Sequence, residues 1–272
     1  MLDLGVLVLA AVILVATLAG IAAVGWLCVG PDRLRAARRR PGWFAERLRA
    51  VVPYVGALAL VLVVNKGLQG VIERFSHAYG VEATATLHAI EGDIVVSFQS
   101  LLPTPATVYF AAVYVVGYAV LLVAPLLVYL FAERAQPMKR LVAAYAVNYA
   151  VAVGCYAAVV AYGPRNAARA SDGTSADAPL LEFVPDITSI TALVNTNTNV
   201  FPSLHAALSV TVLLVAATTR TEFERWFAVA AVLGSSVVVS TMALGIHWVT
   251  DVVAGIVLAV VAVAISGRIV AE

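Results

Sequence analysis

The sequence predicts an all-α integral membrane protein with about seven transmembrane helices. Of its 272 residues, 62% are hydrophobic and 12% are charged, whereas soluble domains are about half apolar and about a quarter charged. The apolar residues form long stretches, and most arginines lie in the short segments between alternate pairs of these stretches. Each stretch approaches the roughly 20 residues that a helix needs to cross the hydrocarbon core of a bilayer.

Seven stretches qualify, or nearly qualify, as membrane helices. The first is too long for the apolar region of a signal peptide and follows Asp3 instead of a basic segment, so we expect residues 1–30 to form a true N-terminal membrane helix. The fifth and seventh stretches are short and carry polar motifs at their outer ends. In chain order, the predicted spans are Leu4–Val29, Val51–Gly70, Thr104–Ala132, Leu141–Gly163, Pro202–Thr219, Trp226–Gly245 and Trp248–Ser266.

The basic residues predict the orientation of these spans. Residues 31–50 carry seven arginines, and an excess of Arg and Lys marks cytoplasmic loops, so we expect a basic cytoplasmic loop there. Two later basic loops and the tail with Arg268 fall on the same side. The other side receives the net acidic segments Val71–Pro103 and Pro164–Phe201. The N-terminus is therefore expected outside and the C-terminus inside.

The outer segment Val71–Pro103 is too polar to span a bilayer and too apolar for a simple loop, so we expect an amphipathic element in the interface. Its residues Glu91, Asp93 and Gln99 either recognise a substrate or acceptor or are solvated on an interfacial helix. Residues 51–268, including this segment, are predicted to form one catalytic membrane core.

A polar motif, Pro202-Ser203-Leu204-His205, begins the fifth span. Proline suits the first position of a helix, where its missing N–H costs nothing. The free N–H groups of that turn and the Ser203 hydroxyl would bind an anion, with His205 beside it. The alternative is a helix start with an interfacial histidine.

A second motif, Gly245-Ile246-His247-Trp248-Val249-Thr250-Asp251, begins the seventh span. His247 and Asp251 are four residues apart and share a face of a helix. A carboxylate can hold one imidazole nitrogen and leave the other more basic, as in nucleophilic and general-base catalysis. The alternative is a capped helix with a structural His–Asp pair.

Two arginines, Arg165 and Arg169, depart from the positive-inside pattern because they lie at the predicted outer end of the fourth span. Arginine binds phosphate through two parallel hydrogen bonds, although solubility of the loop would also explain both residues. Phosphoryl transfer needs positive groups, an in-line nucleophile and an acid for the leaving oxygen. The outer face supplies each of these, so the combination favours a phosphoryl-transfer enzyme.

Two other kinds of protein remain open at this point. A transporter could use the histidines and Asp251 as a proton relay, although Lys66 is almost the only ionisable residue near the middle of a predicted span. A metal could also bind His205, His247 and Asp251. The net charge of +1 gives no reason to expect nucleic acid as a partner, and Cys28 and Cys155 lie in apolar stretches and do not indicate disulfides.

The motifs resemble those of the type 2 phosphatidic acid phosphatase superfamily, which are Lys-x6-Arg-Pro, Pro-Ser-x-His and Ser-Arg-x5-His-x3-Asp. The second motif is intact here, and the third appears as Ser240-Thr241, five residues, His247, three residues and Asp251. Thr241 replaces the family's arginine, and Gly163-Pro164-Arg165 stands in place of the first motif. This pattern is similar to the branch with the inositol phosphorylceramide synthases and related prokaryotic membrane proteins.

The resemblance implies a six-helix core over Val51–Arg268, with one additional N-terminal helix. It implies that His247 attacks phosphorus and forms a phosphohistidine, that Asp251 orients it, and that His205 protonates the leaving group. The family needs no metal, and no cofactor is expected. The residues expected to bind the substrate are Ser203, Ser240, Thr241, Arg165 and Arg169.

The expected substrate is a lipid phosphate or diphosphate, hydrolysed at the extracytoplasmic face. The alternative reaction moves a phosphoryl head group to a lipid or polyol hydroxyl. With 17 basic residues, of which Lys66 and Lys139 are the lysines, the composition favours a GC-rich genome and hence a prokaryotic cell membrane.

Overall fold

The computed structural model describes residues 4–167 and 200–271, and these are almost entirely helical. A single turn of π-helix, Val113–Gly117, joins α6 to α7 without a break. In chain order, the helices are α1 (Leu4–Val29), α2 (Pro31–Arg38), α3 (Trp43–Tyr79), α4 (Thr84–Glu91), α5 (Ile94–Ser100), α6 (Thr104–Ala112), α7 (Tyr118–Leu130), α8 (Gln136–Ala158), α9 (Leu204–Thr218), α10 (Glu224–Ala243) and α11 (Val249–Ala271).

The predicted all-α membrane fold is confirmed. Six helices are long and apolar enough to cross a bilayer, counting α6 to α7 as one, and α9 is a shorter apolar helix. α1 has the predicted bounds, whereas α3 extends well beyond Val51–Gly70 at both ends. As a consequence, residues 31–50 are not a simple loop, because α2 and the first turns of α3 occupy most of them.

α9 is the central helix of the bundle, and it contacts α7, α8, α10 and α11. Its side chains Leu208, Val212 and Val215 are fully buried. α3 packs on α8, and α1 packs on α7. The outward side chains of α1 and α3 are mostly apolar, with Leu14 and Val63 among the most exposed, as expected for surfaces that face lipid.

The basic segment 31–50 contacts two later loops at one end of the bundle. Arg33 donates to the carboxylate of Glu222 at 2.7 Å, and its guanidinium lies 4.3 Å from the ring centroid of Phe223. Arg47 donates to the backbone carbonyl of Ala132. The three loops predicted to be cytoplasmic therefore meet at one end, as the alternating topology requires.

The opposite end is covered by the segment between α3 and α6. Its first residues form a two-residue parallel β-pair with the chain after α8, in which β1 (Val81–Glu82) pairs with β2 (Val159–Val160). α4 and α5 follow, and Leu87 of α4 packs against Trp248 in a small apolar cluster. The segment therefore lies over the start of α11, where the second motif is located.

Candidate active site at one end of the bundle

The start of α9 is held against α11 by backbone contacts. Ser203 is the N-cap of α9, and its side-chain oxygen accepts a hydrogen bond from the Ala206 N–H at 3.2 Å, as serine commonly does at this position. The Ser203 N–H donates to the carbonyl of Asp251 at 3.0 Å. Gly255 permits this approach, because a Cβ there would overlap the Ser203 carbonyl oxygen. Pro202 therefore precedes the cap instead of opening the helix, and His205 lies in the first turn.

The turn between α10 and α11 carries His247. Gly245 has a φ of +63°, a conformation that glycine adopts without steric cost. The backbone N–H groups of Ile246 and His247 both donate to the carbonyl of Thr241, at 2.9 and 3.2 Å. These contacts return the chain sharply and place His247 in the turn directly before α11.

The Gly163-Pro164-Arg165 segment packs directly against this turn. The Arg165 N–H donates to the carbonyl of Gly245 at 3.0 Å. A Cβ on Gly163 would overlap the carbonyl oxygen of Ile246, so this position requires the absence of a side chain. The half-buried Arg165 also interacts electrostatically with His247. Two segments that are far apart in sequence therefore form one wall of the site.

Two carboxylates cap the first turn of α11. Asp251 accepts a hydrogen bond from the Trp248 N–H at 2.8 Å, which is the reciprocal half of a capping box. Glu91, at the end of α4, accepts from the N–H groups of Val249, at 2.8 Å, and of Thr250. The N-terminus of α11 is thus already neutralised by protein carboxylates, and it is not an open anion site of the kind expected at α9.

The two histidines of the motifs lie next to each other. Their ring centroids are 6.0 Å apart, with an angle of 55° between the planes. Nδ1 of His247 is 3.6 Å from the Asp251 carboxylate, which is slightly longer than a hydrogen bond. Within residues 4–167 and 200–271, this Nδ1 and Oδ1 of Asp251 are buried without a hydrogen-bond partner. A small movement would join His247 and Asp251, and catalytic hydrogen bonds are often long before the substrate binds.

The environment of His247 favours its neutral form. Burial lowers the pKa of the His247 imidazole to about 3; a backbone hydrogen bond at Val200 opposes the shift, and the positive charge of Arg165 contributes to it. A neutral imidazole has a lone pair that can attack an electrophile. His247 is therefore suited to act as a nucleophile near neutral pH.

His205 has a different environment, made of aromatic rings. The ring of Tyr114 stacks on the imidazole with a centroid distance of 4.6 Å and an interplanar angle of 26°. The ring of Tyr118 lies 4.5 Å away at 39°. Both tyrosines come from the π-turn and the residue that follows it. Neither tyrosine belongs to the two motifs, although two aromatic residues four apart on a predicted span would have been the signal.

The remaining predicted substrate-binding residues have mixed placements. The hydroxyl of Ser240 donates to the carbonyl of Val237 at 2.6 Å, and that of Thr241 donates to Val238 at 2.7 Å. Both hydroxyls thus bond to the backbone of their own helix, and Thr241 contacts His247 through its carbonyl. Arg169 lies outside the described residues. A role in substrate binding stays a prediction for all three.

The outer segment agrees only in part with the interpretation that its acidic residues are solvated, and recognition of a substrate or acceptor stays a prediction. Glu91 is 7% exposed and caps α11, so it is not solvated. Gln99 donates to the carbonyl of Ala243 at 3.1 Å and lies against Gly245. Asp93 is exposed, as the second interpretation expected. The segment therefore supports the turn that carries His247, and this could not be predicted because the contacts join residues about 150 positions apart.

The two rival classes of protein receive little support from the described residues. The buried acidic, basic or histidine side chains of this part of the chain are Glu91, His247 and Asp251, all at the end of the bundle where the motifs lie. Lys66 is exposed on α3 and donates to Gln69 at 3.1 Å. In the same ranges, no group of three or more His, Cys, Asp or Glu side chains could hold a metal ion.

The fold and the site together define an α-helical membrane protein with two histidines and a carboxylate at one end of the bundle. A model of the PAP2 superfamily matches residues 85–265. This is more than half of the chain, which therefore belongs to the PAP2 superfamily, the family its motifs resemble. Membership supports a phosphatase or phosphotransferase type of enzyme. No curated protein and no solved structure matches the chain. The match starts after α3, and the likeness to the inositol phosphorylceramide synthase branch stays a prediction.

Proposed function

We propose that the protein removes phosphate from a lipid phosphate or diphosphate through a phosphohistidine at His247. The observation that carries the proposal is the arrangement of His205 and His247, whose ring centroids are 6.0 Å apart, with the Asp251 carboxylate 3.6 Å from Nδ1 of His247. Asp251 faces Nδ1, so Nε2 is the nitrogen assigned to attack, and it must exchange its backbone hydrogen bond at Val200 for the phosphorus when the substrate binds. The neighbouring His205 would then face the ester oxygen on the opposite side of the phosphorus.

The reaction has two steps. Nε2 of His247 forms a bond to phosphorus, the bond from phosphorus to the ester oxygen breaks, and the leaving oxygen takes a proton from His205, which enters this step as the imidazolium. Water then attacks the phosphohistidine, His205 takes a proton from this water, and the bond between phosphorus and nitrogen breaks. Inorganic phosphate leaves and both imidazoles return to their starting states. Arg165 and the first turn of α9 would stabilise the phosphoryl oxygens.

The depth of the site supports a lipid as the substrate. α9 has 15 residues, or about 22 Å at the usual helical rise, and this is shorter than a hydrocarbon core of roughly 30 Å. A helix of this length cannot reach both head-group layers, so we expect His205, in its first turn, at or just below the level of the lipid head groups. We expect this end to be extracytoplasmic, because the arginine-rich segment 31–50 lies at the other end.

Comparison of two variants on two substrates tests this proposal. His247→Ala should abolish turnover of dioctanoyl phosphatidic acid and of nitrophenyl phosphate, because the nucleophile is absent from both reactions. His205→Ala should lose roughly 10²-fold or more on the lipid but much less on the aryl ester, whose leaving group needs no proton. The exposed His88 provides a matched control, and His88→Ala should retain activity.

The outcome also decides the roles and the need for a metal. If the aryl ester rescues His247→Ala instead, the two histidines exchange roles. If neither variant loses activity on either substrate while the protein remains folded by size-exclusion chromatography, the proposal is wrong. Turnover should continue in the presence of a chelator, and its loss would contradict the metal-independent mechanism.

A second candidate reaction is transfer of a phosphoryl head group from one lipid to a hydroxyl acceptor. The hydroxyl of Thr241, which replaces the family's arginine, bonds to Val238, and Glu91 lies within electrostatic range of Asp251. A site with fewer positive charges stabilises a singly charged phosphodiester more readily than a doubly charged monoester. Product analysis separates the reactions, since hydrolysis releases inorganic phosphate and transfer gives a new phosphodiester.

A further inference from the structure

The π-turn between α6 and α7 interrupts the regular α-helix beside the site. Isolated π-turns are rare and occur frequently at functional sites. This one, Val113–Gly117, carries Tyr114 and is followed immediately by Tyr118. Both rings contact the imidazole of His205, with centroid distances of 4.6 and 4.5 Å. The irregular turn therefore coincides with the place where the bundle contacts this histidine.

His205 and His247 are supported in different ways. His247 lies 3.6 Å from a carboxylate and belongs to a turn fixed by backbone hydrogen bonds. Within the described residues, the rings that contact the His205 imidazole are those of Tyr114, Tyr118 and His247. A histidine that must hand a proton to a particular oxygen needs a defined ring orientation. Aromatic packing on the imidazole can provide that orientation without a charged partner.

We infer that Tyr114 and Tyr118 are positioning residues for His205 as the general acid, and that the π-turn places both rings against it. This inference rests on the proposed function. The aromatic rings define the plane of the imidazole and direct one of its edges towards the space beside His247. The tyrosine hydroxyls are not required for this role, because the contact is made by the rings, with Tyr114 stacked on the imidazole and Tyr118 tilted against it.

The packing of the π-turn explains how the rings can be held in place. Tyr114 is buried. Gly117, between the two tyrosines, lies so close to α10 that a Cβ there would approach Leu233 to 3.0 Å. The helix therefore packs closely against α10 at the turn that carries the two tyrosines.

The test measures how the loss of activity depends on the leaving group. Tyr118→Leu and Tyr114→Leu remove the ring, whereas Tyr118→Phe and Tyr114→Phe keep it. In the leucine variants, we expect the ratio of kcat/KM for dioctanoyl phosphatidic acid to kcat/KM for nitrophenyl phosphate to fall about tenfold or more, since general acid catalysis contributes roughly 10²–10⁴ to the rate. The phenylalanine variants should keep this ratio within about twofold, since they retain the ring packing.

Two comparison variants make the result decisive. Tyr109→Leu, on α6 at an exposed position bonded to Ser236, should leave the ratio unchanged. A general loss of folded protein would lower both rates together, so equal losses on the two substrates would overturn the inference. An unchanged ratio in the leucine variants beside a lowered ratio in His205→Ala overturns only the positioning role. An unchanged ratio in His205→Ala removes the proposed acid and the inference with it.

Discussion

Asp251 has two contacts that a single substitution can separate. Its carboxylate caps α11 through the Trp248 N–H and also lies near Nδ1 of His247. Asp251→Asn keeps an oxygen for the cap but presents an N–H to the imidazole, which favours the wrong tautomer. We expect turnover to fall by a factor on the order of 10⁴, as in a comparable triad, with little change in the unfolding temperature.

Asp251→Ala serves as the comparison, because it removes the cap as well as the orienting group. It should cost about 1 kcal/mol of stability in addition to the activity, which is the usual effect of losing a helix cap. Thermal unfolding and turnover are measured on both variants. If Asp251→Asn retains wild-type turnover, the residue is a structural cap alone.

Arg165 is a cation that lies close enough to His247 to act on its imidazole. Arg165→Ala should lose roughly 10–100-fold in kcat/KM, the equivalent of one charge-assisted hydrogen bond. Arg165→Lys should remain impaired because lysine cannot make a bidentate contact with phosphate. Arg74→Lys changes an exposed cation on α3 and should have no effect. Full activity of Arg165→Lys would exclude a bidentate contact.

The motif residues could be predicted from sequence because their chemistry depends on short spacings. The four-residue spacing brings His247 close to Asp251, although His247 lies in the turn before α11 and not on a shared helix face as predicted. Ser203 has the residue type that helix caps prefer. Tyr114, Tyr118 and Glu91 could not be predicted in the same way. Their roles depend on which helices become neighbours, and the shared helix face that the spacing of Tyr114 and Tyr118 indicates does not identify the residue that this face contacts.

At the level of elements, the close contact of the Gly163 segment with the turn before α11 has a direct consequence. In Gly163→Ala, the new methyl group would overlap the Ile246 carbonyl, so the turn that carries His247 must move. A misplacement of about 1 Å can cost roughly 10²-fold in rate. Gly154→Ala, in α8, is the matched control because its Cβ meets nothing within 4 Å.

Both glycine variants are assayed with dioctanoyl phosphatidic acid after size-exclusion chromatography. Gly154→Ala should retain activity, and its helix should be slightly more stable, since alanine has the higher helix propensity. Equal activity of the two variants would show that the turn tolerates displacement. It would also contradict the assignment of this segment to the wall of the site.

Hydropathy predicted the existence of the helices better than their limits. α1 is uniformly apolar, so its predicted bounds agree with the structure. α3 continues through polar residues such as Arg47 and Glu73 at its two ends, because a helical backbone does not stop where its side chains leave the lipid. The π-turn gives no hydropathy signal at all, since Val113–Gly117 lies within a continuous apolar stretch.

For the whole molecule, the arrangement of charges and motifs at opposite ends was predictable from sequence. Basic residues are excluded from the translocated side during insertion, and the number of spans then determines the side of every later loop. The contacts of Arg33 and Arg47 with two other loops predicted to be cytoplasmic agree with this topology. The packing order of the helices, with the short membrane helix α9 in the centre, could not be derived from the charges.

Cysteine labelling can determine the orientation of the whole molecule in the membrane. Ala36 and Asp93 are exposed at opposite ends of the bundle, so single cysteines there, after replacement of Cys28 and Cys155 by alanine, report on the two sides. Because the arginine-rich segment 31–50 is expected inside, a membrane-impermeant maleimide added to intact cells should label Asp93→Cys. Ala36→Cys should react only after permeabilisation. Labelling of both cysteines from outside would contradict the predicted topology, and labelling of Ala36→Cys alone would invert it and place His205 and His247 at the cytoplasmic face.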